Sequence, residues 1–382
     1  MIGFQPTDEQ RALQQLAHEF AERELRPISR EWDEREDFPP ELLAKAARAG
    51  LTSYAIPAEY GGGGVDAVTA ALVAEELSWG CAGLAATLQA TMFPVRPLLA
   101  AGTDEQRKRY LRRLASEDGA LACIAFTEPH AGTDLAAMSA TARRDGDAYV
   151  LDGEKCYLTN GGIAEVTVVF AKVDGGITAF VVEQNDDGVA AGRKEAKLGL
   201  RASYTGSLVL DGARIPADRR LGEEGQGWEL ALDFFQASRP QVAAAAVGLA
   251  RAAFEQAVSY AGEREAFGRP LTARQGVSFK LADMGIAIEA ARLLVWRACE
   301  AVDRGEDAGL LGSYAKAYAA DIAMRVTTDA VQVLGGAGVM RDHLVEKWFR
   351  DAKVFQIVEG TSEIQREIAA RQIATSVGHR RG

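Results

Sequence analysis

The chain has 382 residues, 48% of them hydrophobic and 25% charged, which is enough apolar material for two or three buried cores and excludes a globally disordered protein. Its 43 lysines and arginines against 54 aspartates and glutamates give a formal net charge of −11, and this acidic balance argues against nucleic acid as the main partner. No apolar run reaches the roughly 18 residues that a membrane-spanning helix needs, and the N-terminal sequence MIGFQPTDEQ lacks the basic and apolar regions of a signal peptide.

The first region, residues 1–120, has the sequence pattern of α-helices. In the stretch TDEQRALQQLAHEFAEREL, the apolar residues recur at intervals of three and four, as on one face of a helix. Thr7 precedes this stretch and Gln10 follows three positions later, which predicts a capping box at the helix start. Further helix-like runs are ELLAKAARAG, VTAALVAEELS and DEQRKRYLRRLAS. We therefore predict an N-terminal helical domain over residues 1–120.

The second region, residues 121–230, has a different pattern. All Asp-Gly and Asn-Gly pairs of the chain lie between residues 118 and 212, and such pairs favour the tight turns of hairpins. Between the turns are the strand-like runs ACIAF, AYVL, KCYLT, VTVVFA, ITAFVVE and GSLVL. Short strands at this spacing without intervening helices predict a middle domain that is a small antiparallel barrel or sandwich.

The third region, residues 231–382, returns to the helical pattern. Apolar residues step by three and four over two long alanine-rich stretches. The first stretch contains Val277, Leu281, Met284, Ile288, Ala291, Leu294, Val295 and Ala298. Long helices with such stripes pack as an antiparallel bundle. The predicted fold is therefore mainly α, with a middle β-domain between an N-terminal helical domain and a C-terminal bundle of the four-helix type.

Several common chemistries have no motif in this sequence. No G-x-G-x-x-G follows a strand-like run, and neither a Walker A motif nor G-x-S-x-G is present. The four cysteines are scattered without a C-x-x-C pair, which indicates reduced, buried thiols in a cytoplasmic protein. The four histidines are equally dispersed, so we predict no metal site.

Two segments of the β-region are candidates for binding a cofactor. In AFTEPHAGTD, a strand-like run ends at Phe126, and Gly132 and Thr133 follow in a loop whose backbone N–H groups are suited to phosphate oxygens. In KCYLTNG, Tyr157 and Thr159 share one face of a strand by period two, so that a ring and a hydroxyl would flank a planar group. Taken alone, each segment favours an ordinary turn: a capped turn for the first and a plain hairpin for the second.

A third segment, RDAKVFQIVEGTSEIQR, contains a candidate general base. Glu359 lies in a break between two helix-like runs, after apolar residues and before Gly360. Apolar surroundings disfavour a charged carboxylate and raise its pKa towards the range of a useful base. We expect the next helix to begin with a capping box formed by Ser362 and Gln365. A solvated loop glutamate is the alternative interpretation of this segment.

Together, these segments resemble the acyl-CoA dehydrogenase family of flavoproteins. The motifs TEPHAGTD, YLTNGG, EREAFGRPL, QVLGGAG and VEGTSEIQR occur in the order and at the spacing of that family, and the resemblance extends over nearly the whole chain. The short- and medium-chain branches, which share a C-terminal catalytic glutamate, are the most similar. The resemblance implies the same three-domain fold that the patterns predict.

The resemblance implies that FAD binds between the β-domain and the C-terminal bundle. The residues that would contact the FAD of the same subunit are Phe126, Thr127, Gly132, Thr133, Tyr157, Thr159, Thr361 and Glu363. The residues that would reach the FAD of a neighbouring subunit are Arg264, Phe267, Gln275, Gln332 and Gly336. The family therefore implies a homo-oligomer, either a dimer or a tetramer. No metal is implied.

The resemblance also implies the reaction. Glu359 would remove the α-proton of an acyl-CoA while hydride passes from the β-carbon to flavin N5, giving a trans-2-enoyl-CoA, and an electron-transfer flavoprotein would accept the electrons. The residues implied in substrate binding are Gln89, Thr133, Phe235, Arg239 and Gly360. His130 stands where the family often has glycine, which leaves open whether the thioester carrier is coenzyme A or an acyl carrier protein.

Two further hypotheses compete with this one. A relative with the same fold but different chemistry, such as a flavin monooxygenase or a nitroalkane oxidase, is disfavoured by Glu359, since the former does not need this base and the latter uses aspartate. A non-catalytic helical interaction protein would not take up FAD.

Overall fold

The structure, a computed structural model, describes residues 5–174 and 176–379. Its first part is helical, as predicted. The helices are α1 (Asp8–Phe20), α2 (Ser29–Arg35), α3 (Pro40–Arg48), α4 (Ala67–Ala90), α5 (Val95–Ala101) and α6 (Asp104–Leu114). The predicted capping box of α1 is confirmed: the Gln10 N–H donates to Thr7 Oγ1 at 3.2 Å and the Thr7 N–H donates to Gln10 Oε1 at 2.9 Å. Helix α4 is buried along almost its whole length and forms the centre of this part.

The middle part is a β-sheet. Its strands are β1 (Ala122–Ala125), β2 (Thr141–Asp145), β3 (Ala148–Thr159), β4 (Val166–Val173), β5 (Gly176–Glu183), β6 (Val189–Lys194), β7 (Thr205–Pro216) and β8 (Arg220–Leu221). The described strands follow the order β6-β7-β3-β2-β4-β5-β8, with β1 beside β4. The sheet is therefore open and not a closed barrel, where the sequence predicted a small antiparallel barrel or sandwich. Strand β4 is parallel to both β1 and β2, because the connections to it cross over instead of forming hairpins. Hairpin signals in the sequence predict only antiparallel neighbours and could not show this.

The last part is a bundle of long helices. They are α7 (Gly227–Glu263), α8 (Gln275–Asp303), α9 (Gly309–Leu334), α10 (Val345–Phe355) and α11 (Ser362–His379), with a small hairpin of β9 (Glu265–Ala266) and β10 (Arg269–Pro270) after α7. Helix α7 crosses the predicted domain boundary at residues 230/231, and the boundaries themselves stay predictions. No helix in the described ranges is both long and apolar enough to cross a membrane.

Small residues allow the helices of the two helical parts to approach closely. A Cβ atom added to Gly248 of α7 would lie only 2.0 Å from the carbonyl oxygen of Glu75 in α4, so the two backbones touch at this point. Alanines dominate the surrounding core on α7. Helices α4 and α7 are therefore held at a spacing that no larger residue at position 248 would permit.

An aromatic cluster joins the sheet to α7. Phe126, just after β1, stacks on Phe170 of β4 with ring centroids 4.2 Å apart, and its ring centroid is 5.0 Å from that of Phe235 in α7. Aromatic pairs at these distances are favourable beyond the apolar area that they bury. The cluster fixes the end of β1 beside the first turns of α7, which carry the site described below.

Candidate active site

Glu359 lies in a strained turn between α10 and α11. Its φ is +53° and that of Gly360 is +88°, so both residues occupy the left-handed region, which is unfavourable for glutamate. The buried Gln365 side chain holds the turn, because its Nε2 donates to the carbonyl oxygens of Glu359 at 3.1 Å and Gly360 at 3.3 Å. Strain that surrounding contacts maintain in this way is typical of a functional residue.

The predicted capping box of Ser362 and Gln365 is wrong. Thr361 caps α11 instead, with its Oγ1 accepting from the Ile364 N–H at 3.3 Å. The Ser362 hydroxyl donates to Asp321 of α9 at 3.0 Å, and the Gln365 side chain turns back to the strained turn. The physical reason is competition: the two carbonyls of the turn and the α9 carboxylate offer partners that a sequence pattern does not reveal.

The Glu359 carboxyl group faces α7. Ser238 Oγ donates to Glu359 Oε2 at 3.0 Å. Burial raises the pKa of Glu359, whereas the hydrogen bond from Ser238 and the positive charges of Arg239 and Lys316 act to lower it; the net direction is upward from 4.5. The result is a carboxylate whose proton affinity suits a general base.

The contact with Ser238 gives a testable pH dependence. Glu359 must be ionised to accept a proton, so kcat/KM should fall as pH decreases through its raised pKa. Ser238→Ala removes a bond to the charged form and should move this acid limb upward by about one pH unit. The measurement is kcat/KM against pH, with Ser259→Ala, an exposed position on the same helix, as the control. An acid limb that coincides with the wild type would show that Ser238 does not act on the base.

A cavity of about 370 Å³ is lined by Ser238, the residue that donates to this carboxyl group. Ser238 and Phe234 of α7 line it, and the rest of its wall is largely apolar. Gln89 of α4 also lines it, with Nε2 donating to the Ala74 carbonyl at 3.3 Å, so this predicted residue does lie at the cavity. Phe235 and Arg239 lie next to Phe234 and Ser238 in the sequence of α7, and the guanidinium carbon of Arg239 lies 5.4 Å from the centroid of the Phe235 ring. Buried Arg239 Nε has no partner within the described residues.

A buried ion pair fixes the segment that follows β1. Lys155 of β3 is fully buried, and its Nζ donates to Glu128 Oε1 at 2.7 Å and to the Phe126 carbonyl at 3.1 Å. Burial acts to raise the pKa of Glu128, but the hydrogen bonds from Lys155 and from the N–H groups of Ser139 and Ala140 lower it to about 2. The pair therefore holds the segment after β1 against β3.

Phe126 and Thr127 lie beside the strand that carries Tyr157 and Thr159. The Cys156 N–H donates to the Thr127 carbonyl at 2.9 Å, which ties Thr127 to the strand that carries Tyr157. A bulge between Lys155 and Leu158 places Tyr157 at φ +57°, with 66% of the residue's surface exposed, while Thr159 is half-buried. An exposed ring on a strained backbone has no role in the core and suits the face of a planar ligand.

The remaining predicted residues lie on exposed segments. Gly132 and Thr133 are exposed in the loop before a three-residue 3₁₀ turn (Leu135–Ala137), for which Asp134 is the N-cap residue. Thr361 is half-buried and Glu363 exposed at the start of α11. The exposed residues that the sequence assigns to a neighbouring subunit are Arg264, Phe267, Gln275, Gln332 and Gly336. Within the described residues, no hydrogen bond or ring contact joins these five to the Glu359 turn.

Sequence reasoning missed Ser238, Lys316 and the Glu128–Lys155 pair. Ser238 directly precedes Arg239, and Lys155 opens the segment that contains Tyr157. The sequence therefore indicates the right segments, but it does not predict the contacts of Ser238 and Lys155. Lys316 carried one available signal, which is a lysine within the apolar run AKAYAADIA. Across the described parts of the chain, no group of three His, Cys, Asp or Glu side chains is placed to hold a metal ion.

The site fits a flavin-dependent oxidoreductase. The candidate base Glu359 is hydrogen-bonded to a residue that lines an apolar cavity, and the β-domain presents an exposed tyrosine beside a rigid backbone segment, which suits FAD. Family models confirm this class over almost the whole chain. The acyl-CoA dehydrogenase N-terminal, middle and C-terminal domains match residues 7–118, 123–213 and 225–374. The chain belongs to the acyl-CoA dehydrogenase family and is an FAD-dependent oxidoreductase that acts on CH–CH groups.

Individual relatives agree with the family models. An acyl-CoA dehydrogenase of Bacillus subtilis (strain 168) is 41% identical over 373 residues, which cover 96% of this chain and 98% of that protein. The structure of butyryl-CoA dehydrogenase from Megasphaera elsdenii has a TM-score of 0.95 at 39% identity and covers 98% of this chain and 100% of its own. The structure of a prolyl acyl carrier protein oxidase has a TM-score of 0.91 at 31% identity, with 97% and 100% covered.

Proposed function

We propose that this protein oxidises an acyl-CoA to the trans-2-enoyl-CoA, with the Glu359 carboxylate removing the α-proton. The observation that carries the proposal is the environment of the Glu359 carboxyl group. It accepts a hydrogen bond from Ser238, which lines the apolar cavity, and burial raises its pKa. FAD, when bound, supplies the acceptor for the hydride that leaves the β-carbon.

Residues of this chain would orient the substrate. The acyl group enters the cavity between α4 and α7, with Gln89 in its wall, so that the α-carbon meets Glu359. The thioester oxygen takes a hydrogen bond from the Glu359 N–H, which strengthens as negative charge develops on that oxygen. Arg239 and Phe235 border the path of the thioester, and Gly360 and Thr133 complete the binding surface.

The flavin contacts proposed for this subunit use both domains. The backbones of Phe126 and Thr127 and the side chains of Tyr157 and Thr159 would hold the ring. Gly132 and Thr133 would contact the pyrophosphate, and Thr361 and Glu363 the nucleotide half. The buried Glu128–Lys155 pair supports the proposal, since it makes the first of these segments rigid.

A second copy of the chain would complete the site. Phe279, Ile286 and Leu293 are exposed on α8 at intervals of seven, so they form one apolar stripe. Phe267 is 96% exposed at the nearby hairpin. The proposed assembly, a dimer or a tetramer, covers this surface and brings the group Arg264, Phe267, Gln275, Gln332 and Gly336 to the FAD of a neighbouring subunit. An electron-transfer flavoprotein is the proposed electron acceptor.

The direct test is anaerobic mixing of the FAD-loaded enzyme with acyl-CoAs of four to eight carbons. We expect the flavin absorbance near 450 nm to bleach, and the product to be the trans-2-enoyl thioester. The similarity to a prolyl acyl carrier protein oxidase makes acyl groups carried by an acyl carrier protein the second candidate substrate. These thioesters should be tested in the same screen. Failure of every thioester to bleach the flavin would overturn the proposed function.

A further inference from the structure

Lys316 of α9 is a buried lysine that has no part in the proposed proton abstraction and hydride transfer. Its exposure is 1%, and the neighbouring positions on the helix are alanines and other small residues. Removing an ammonium group from water is unfavourable, and burial lowers the pKa of Lys316 to about 8. A methionine would fill the same space without this penalty. The presence of the charge therefore calls for a partner.

The partner is the strained turn that carries Glu359. Lys316 Nζ donates to the Gly360 carbonyl oxygen at 2.5 Å, and Gln365 Nε2 donates to the same oxygen at 3.3 Å. Since a peptide unit is planar, fixing this carbonyl fixes the plane that joins Gly360 to Thr361 and limits rotation at the turn. The left-handed conformation of Glu359 is thus held from α9 by Lys316 and from α11 by Gln365.

The charges around Lys316 come from four segments. Glu359 of the turn, Asp321 of α9 and Glu363 of α11 act to raise its pKa, and Arg239 of α7 acts to lower it. Asp321 already accepts hydrogen bonds from Gln356, Ser362 and Arg366. Glu359 is the leading negative charge acting on Lys316, and Lys316 in turn acts to lower the pKa of Glu359.

We propose that Lys316 is a positioning residue for the base: it fixes the Glu359–Gly360 turn through the Gly360 carbonyl, and its positive charge favours the ionised form of Glu359. This inference rests on the proposed function of Glu359. It adds a second ionisable group to the reaction, so that activity requires Glu359 without its proton and Lys316 with its proton.

The test is the pH profile of flavin reduction by acyl-CoA in single-turnover experiments. In the wild type, the rate should rise with pH as Glu359 ionises and decline above about pH 8 as Lys316 loses its proton. Lys316→Met should lower the rate at pH 7 about tenfold, move the acid limb upward by about one pH unit and abolish the alkaline decline. Hydrogen exchange of residues 356–361 should become faster in the same variant.

Two further variants separate charge from geometry. Gln365→Met removes the hydrogen bonds to the Glu359 and Gly360 carbonyls without changing the charge. It should therefore lower the rate of flavin reduction and leave the acid limb of the pH profile in place. Lys280→Met removes a lysine that pairs with Asp329 of α9 and should match the wild type. A Lys316→Met profile that coincides with the wild type, or a wild-type rate that does not decline between pH 7 and 9.5, would overturn the inference. A wild type that no thioester reduces would instead overturn the proposed function.

Discussion

Glu359→Gln is expected to lower kcat by about 10²- to 10⁴-fold while the protein still binds FAD. Glutamine keeps the size of the side chain and can still accept the hydrogen bond from Ser238, so the turn should survive. An amide cannot take up the α-proton, and the general-base contribution is lost. The measurements are steady-state kcat with an acyl-CoA and the ratio of flavin to protein absorbance.

The control for this change is Glu367→Gln on α11. Glu367 is exposed and pairs with Arg371 one turn further along the helix, so its loss should leave kcat unchanged. Activity of Glu359→Gln within tenfold of the wild type would assign the base to another group. Loss of bound FAD along with activity would instead show that the substitution had disturbed the turn.

Lys155→Met is expected to destabilise the protein by about 3–5 kcal/mol, because it leaves the buried Glu128 carboxylate without its cation. The N–H groups of Ser139 and Ala140 still donate hydrogen bonds to the Glu128 carboxylate, so the loss of stability should lie at the lower end of this range. The variant should also retain less FAD, since Lys155 donates to the Phe126 carbonyl. Urea unfolding and flavin content measure the two effects.

The double variant Lys155→Met with Glu128→Gln should recover part of the lost stability, since no unpaired charge remains.

The pH dependence of the stability gives an independent check of the Glu128–Lys155 pair. The folded-state pKa of Glu128 lies below its ordinary value of 4.5, so its contribution to stability is present above pH 4.5 and is lost as pH falls towards about 2. Glu128→Gln should remove that part of the acid sensitivity. A Lys155→Met variant within about 1 kcal/mol of the wild type would contradict a tight buried pair.

Local patterns predicted the helical parts, the turns and a candidate base, and each of these predictions has a local basis. Thr7 caps α1 through a residue three positions away, and the break around Glu359 is visible as an apolar run followed by glycine. The parallel placement of β1 beside β4 was not predictable, because their pairing joins residues about 44 positions apart, such as Ala122 and Val166. Hairpin signals report only neighbours in sequence.

In the candidate site, too, the sequence predicts local features but not long-range contacts. The motif around Glu359 predicts a candidate base, but the contact of Ser238 with Glu359 spans 121 positions and that of Lys316 with Gly360 spans 44. The capping box at Ser362 was wrong for a related reason, since Asp321 and the turn carbonyls compete for the same side chains. Long-range polar partners decide these details, and a single sequence does not record them.

The touching backbones at Gly248 and Glu75 also constrain how the acyl range of this enzyme can be redesigned. One wall of the cavity lies on α4 and another on α7, and a Cβ at position 248 would be 2.0 Å from the Glu75 oxygen. The gap between these walls is thus set by main-chain atoms and not by exchangeable side chains. Libraries aimed at longer or branched substrates should therefore vary the lining positions and leave the helix crossing untouched.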